Sequence, residues 1–121
     1  MSTSIFTVNT KAYPDTDPAW LQEACGILPM WVAQYDMMSR VGGYDGTLVD
    51  YMTEAYGFGD LFEFKGVVDP DTQEYQSQYE DDEPLAPYGQ VTMHDGKVAL
   101  FYPYAITALP TANGYYVTRM D

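Results

Sequence analysis

The chain has 121 residues, the length of one domain, and carries 18 Asp and Glu against 5 Lys and Arg, a net charge of -13. A direct binder of DNA, RNA or an anionic membrane needs Lys and Arg to neutralise phosphates, so the composition excludes those ligands. The same deficit argues against electrostatic capture of ATP, coenzyme A or cyclic nucleotides, and points to a basic partner surface.

Aromatic residues make up 16% of the chain, 12 of them Tyr, so it is not a disordered acidic tail and should fold. Tyr packs its ring and still offers a hydroxyl, which suits half-buried and interface positions. Cys25 is the single cysteine, so no intramolecular disulfide can form. Residues 1–9 lack a basic segment followed by a long apolar one, and no apolar run approaches a bilayer span. A soluble cytoplasmic protein is the expectation.

Residues 4–9 alternate in polarity and predict a short strand or arm. Asp17 before Pro18 is an N-cap followed by Pro at the first helical position. A short helix over 18–25 follows, ended by Gly26. Pro29 can open a second helix. There Met30, Gln34, Met37, Met38 and Val41 recur at intervals of three and four, with Trp31 and Tyr35 alongside. Gly42 and Gly43 end it. Trp20, Met30, Trp31, Met37 and Met38 are expected mainly in the core, although some Met side chains suit an adaptable binding face.

The clearest helix covers 47–56. Leu48, Tyr51, Met52, Ala55 and Tyr56 share one face, Thr47 can cap, and Asp50 sits where the helix dipole favours an acid. Gly57 occupies the left-handed C-cap position.

From Leu61 the period changes to two, so 61–68 predicts a strand. Residues 69–72 are a turn, 73–76 a return strand, and 77–89 an acidic loop containing Pro. Strands over 90–93 and 97–102 flank a hairpin turn at His94, Asp95 and Gly96. Pro103 marks a bulge or an edge. The pattern continues over 104–109, turns over 110–114, and ends in a strand over 115–120. The fold expected is α+β: four or five antiparallel strands, mainly in the C-terminal half, covered on one face by two or three N-terminal helices.

The first candidate site is 69–83. It holds Asp69, Asp71, Glu74, Glu80, Asp81, Asp82 and Glu83, with Tyr75 and Tyr79 among them and no basic residue. These nine residues are the expected partner-binding set, a projecting acidic face for Lys and Arg. The bland alternative is a solvated charge run with no partner. An EF-hand match fails. Asp69, Asp71 and Glu80 fit positions 1, 3 and 12, but Glu74 stands where Gly makes the sharp turn, and the flanks read as strands.

Other chemistry is thin. His94 is the single histidine, which rules out a multi-histidine metal site, and its neighbour Asp95 shares a tight turn in which side chains point apart. Cys25 has no cationic neighbour to activate its thiol and reads as core. Residues 42–46 join two helices and lack the Lys of a phosphate loop. No catalytic motif, cofactor motif or metal set emerges, and the expectation is a non-enzyme.

The average charge is diffuse. A chain of this mass exposes roughly 6,500 Å², or about one net charge per 500 Å². Duplex DNA carries one charge per ~1.7 Å of axis. Only clustering can imitate it, as in 69–83, reinforced by Asp45, Asp50, Glu54 and Asp60 or by formation of a homodimer.

Small size, acidity, aromatic richness and missing catalytic motifs resemble, in composition, the inhibitors carried by phages and mobile elements, such as anti-CRISPR and antirestriction proteins. The resemblance implies stoichiometric binding to a host nuclease or effector complex at a basic surface that normally holds nucleic acid, by DNA mimicry. The alternatives are an acidic interaction module such as an adaptor or immunity protein, and a small ligand-binding protein or enzyme.

Overall fold

Local signals start the helices. The Asp17 carboxylate accepts from the Ala19 N–H at 2.9 Å and Pro18 takes the first position, so helix α1 runs Pro18–Ala24. Helix α2, Leu28–Val41, starts without a side-chain cap and stops at Gly42. Helix α3, Leu48–Ala55, begins with a reciprocal capping pair. Thr47 Oγ1 accepts from the Asp50 N–H at 3.0 Å, and an Asp50 carboxylate oxygen accepts from the Thr47 N–H at 3.2 Å. This is a computed structural model, and it describes residues 4–55, 66–77 and 83–119.

The strands are β1 Ile5–Val8, β2 Gly66–Val68, β3 Tyr75–Ser77, β4 Gly89–Thr92, β5 Val98–Phe101, β6 Ile106–Thr111 and β7 Gly114–Arg119. Five of them form an antiparallel sheet in the order β1-β4-β5-β6-β7, and β2 pairs with β3 separately. The fold is α+β. The N-terminal strand is an edge strand of the sheet, paired with β4 from Ile5–Thr92 to Val8–Gly89.

Period-two alternation divides the sheet residues between two cores. Val91, Met93, Ala99, Phe101 and Leu109 pack with Cys25, Val32, Leu48 and Met52 on the helical face. Leu100, Tyr102, Ile106, Ala108 and Val117 pack with Val68 and Tyr75 on the other. The opposite face of the sheet is therefore covered too, by the β2–β3 hairpin, which adds to the layer of helices expected from the sequence. Among the described residues no helix is long and apolar enough to cross a membrane.

Several expectations are corrected. Pro103 breaks the pattern through a short 3-10 turn in which Tyr104 and Ala105 take positive φ, not through a bulge within one strand. Pro110 and Thr111 remain in β6, paired with Tyr115 and Gly114, so the last turn is tighter than 110–114. Most instructive is α2. Its buried residues are Pro29, Val32 and Asp36, whereas Met30, Met37 and Val41 are exposed. Trp20 of α1 is half exposed as well, while Trp31 packs against the core. The Ala55 side chain, Tyr56, Gly57 and residues 61–65 of the strand expected over 61–68 lie outside the described residues, while Gly66–Val68 of it form β2.

Candidate protein-binding surface

The turn between β2 and β3 is built by its first acid. The Asp69 carboxylate accepts from the N–H of Asp71 at 2.8 Å and of Thr72 at 3.2 Å, as an Asx turn does. Asp69 also closes the turn through its backbone, donating to the Glu74 carbonyl at 2.9 Å and accepting from the Gln73 N–H at 2.8 Å. The hairpin is anchored to the sheet, because the Tyr102 hydroxyl donates to the Gln73 carbonyl at 2.6 Å. Burial pushes the Tyr102 phenol up, which keeps that donor proton in place.

The structure divides the nine expected contact residues. Asp69, Asp71 and Glu83 are exposed and Glu74 is half buried. Tyr75 is not a surface contact. It is 1% exposed, and its ring lies 5.9 Å from that of Tyr102, because alternation in β3 points it at the sheet. Tyr79, Glu80, Asp81 and Asp82 lie outside the described residues. Beside the turn runs a groove of about 360 Å³ lined by Val67, Asp69, Pro70, Thr72, Glu74 and Pro84, with no basic residue among its described walls.

A second acidic face stands where α2 passes to α3. The rings of Tyr44 and Tyr51 meet at 5.2 Å, Tyr35 and Tyr51 at 5.6 Å, and Tyr35 and Tyr44 at 6.1 Å. Burial raises the Tyr44 phenol, and Glu54, Asp50 and Asp45 push it further. Burial likewise raises Tyr35, aided by Asp95, Tyr44, Asp36 and Asp50. These shifts record how closely the acids crowd the aromatic trio. The three rings were not grouped from sequence, since 16 positions separate Tyr35 from Tyr51 and only the α2–α3 packing brings them together.

Between the two helices and the sheet lies the contact that sequence reasoning missed. His94 Nδ1 is 2.5 Å from Asp36 Oδ1, and the His94 N–H reaches both Asp36 carboxylate oxygens at 3.3 Å. Asp36 is 1% exposed. Asp95 does not orient the imidazole. Its carboxylate accepts instead from the Lys97 N–H at 3.0 Å. The one signal available was an acid four residues after Val32 and seven after Pro29, on the buried face of α2. That signal is invisible once the opposite stripe is taken as the core.

The imidazole borders a pocket of about 180 Å³ that Tyr35, Thr47, Lys97 and Thr111 also line. An oriented imidazole can exchange a proton, but both hydroxyls of α2 that line the pocket are engaged with carbonyls, Ser39 donating to Asp36 at 3.2 Å and Tyr35 to Gly46 at 3.3 Å. The arrangement present is a clamp holding the β4–β5 turn to α2. Among the described residues no group of three or more His, Cys, Asp or Glu could hold a metal ion. Cys25 is buried, and burial pushes its thiol up to about 11.

Comparison with known proteins returns no match, whether to family models, to curated proteins or to solved structures.

Proposed function

We propose that this chain is a small acidic protein-binding inhibitor, of the kind phages and mobile elements encode. It acts in the host cytoplasm on a basic nucleic-acid-binding surface of a defence nuclease complex. The observation that carries the reading is the ordered acidic turn. Asp69 fixes the turn, Tyr102 anchors it, and Asp71 and Glu83 project from it and its C-terminal flank with no ion pair to a described residue. A turn whose backbone is already fixed loses little freedom when its acids meet Lys or Arg, which favours affinity, and the charge favours fast, salt-sensitive association. The half-buried Tyr35 and Tyr44, packed on the buried Tyr51, supply aromatic contact area beside a second acidic face.

A second reading is an acidic module that binds a basic protein without displacing nucleic acid. The groove beside the turn favours it, because Val67, Pro70 and Pro84 would cover the stem of a Lys or Arg whose head meets Asp69 or Glu74. Competition separates the two. The protein is titrated into a panel of DNA-targeting effector complexes while DNA binding and cleavage are followed. Loss of DNA binding at one inhibitor per complex supports mimicry. Tight binding with DNA binding unchanged supports the module and overturns occlusion. Absence of binding to any basic partner overturns both.

A further inference from the structure

We propose that two copies of this chain associate through α2, packed antiparallel, with Met30 of one copy level with Met37 of the other. Helix α2 is apolar on two sides. At 3.6 residues per turn, Ile27 at its N-cap, Met30, Gln34, Met37 and Val41 fall within an arc of about 80°, opposite the buried Pro29, Val32 and Asp36. Four of them are large and open to solvent: Ile27 is 51% exposed, Met30 58%, Met37 41% and Val41 65%. A helix with a solvated outer face carries charged residues there. The two charged residues of α2 are Asp36, which is turned inward, and Arg40.

The spacing identifies the occupant as a helix. Intervals of 3, 4, 3 and 4 residues make the narrow seam by which one helix packs along another. The chain's own α2 supplies the matching seam. Charge favours a second copy at this place. Two chains of net charge -13 repel wherever they present carboxylates, and this seam presents none. Charge also sets the direction. Asp45, Asp50 and Glu54 follow the C-terminal end of α2, so a parallel pair would bring two acidic sets side by side. An antiparallel pair puts them at opposite ends and opposes the helix dipoles favourably. Gln34 sits at the centre of the stripe, where a polar side chain fixes register.

The inference does not depend on the inhibitor reading, and its test needs no target. Sedimentation equilibrium of the full chain over a wide concentration range should give twice the 13.6 kDa chain mass, and added NaCl should tighten the dimer. The double variant Met30→Glu, Met37→Glu should halve that mass with an unchanged far-ultraviolet spectrum. Val67→Glu, at a site 69% exposed on β2, should remain dimeric. Gln34→Cys should give a reducible covalent dimer on oxidation, and that reading stands even if the charged variant fails to fold. A single-chain mass at every concentration, a dimer indifferent to the double variant, or no cross-link at residue 34 overturns the proposal.

Discussion

Asp36 and His94 lie 58 positions apart, yet the carboxylate of one takes both the ring and the backbone N–H of the other. The pair joins the middle of α2 to the β4–β5 turn. Its two sides are unequal, because Asp36 is inaccessible while the His94 side chain keeps 32% of its surface. Removing His94 leaves a buried carboxylate short of a partner. Removing the charge of Asp36 leaves an imidazole that water can reach. His94→Ala should therefore cost about 3 kcal/mol and Asp36→Asn about 1 kcal/mol. The double variant should cost less than the sum, as urea unfolding would measure. The reverse order of the single variants would remove the clamp from this account.

The acidic hairpin should loosen without the fold being lost. Tyr102→Phe deletes the bond to the Gln73 carbonyl and should cost about 1 kcal/mol. Gly66→Ala places a β-carbon into the Tyr75 ring and should cost about 1–3 kcal/mol. In both variants the backbone amides of Asp69 and Glu74 should exchange faster, while those of β5 and β6 stay protected. Uniform loss of protection would mean that the hairpin is not a separate layer on the sheet.

Cys25 gives a pH dependence whose sign is fixed. Its folded value is raised from 9.0 to about 11 by burial. Below pH 9 both folded and unfolded thiols hold the proton, and the folded state keeps its full advantage. Between pH 9 and 11 the unfolded thiol ionises first, so this contribution to stability falls as pH rises and is gone above 11. Cys25→Ala should flatten the alkaline loss relative to the parent chain. A thiol reagent at pH 8 should react slowly with the native protein and quickly in urea. Equal rates would place Cys25 at the surface.

The two acidic faces can be ranked. Asp71→Lys with Glu83→Lys should weaken partner binding by about tenfold or more. The same reversal at Asp15 and Asp17, which frame the N-terminus of α1, should change it by less than about twofold. Reversal at Asp45 and Glu54 tests the tyrosine corner by the same titration. Equal effects at all three places would reduce the acidity to a solubility device.

The local grammar of the chain was legible. Asp17 with Pro18, Thr47 with Asp50, and Gly42 are decided by neighbours within a few residues, and the starts of α1 and α3 and the end of α2 lie where those signals put them. The alternation over β4 and β5 likewise announced strands. The acidic turn was placed correctly, but Tyr75 within it was not, because its burial depends on a sheet that meets it from 25 positions downstream and beyond.

By itself, then, the sequence determined the α+β class, the starts of α1 and α3 and the end of α2, and the charge that directs attention to basic partners. Tertiary structure decided which apolar stripe of α2 turned inward, which acid of that helix was buried, and which tyrosines joined the acids at the surface. The reason is that periodicity specifies a face, not what covers it. Both stripes of α2 are apolar enough to be core. The choice went to Val32 and Asp36 because the sheet supplied His94 for the carboxylate, and that left Met30, Met37 and Val41 facing outward.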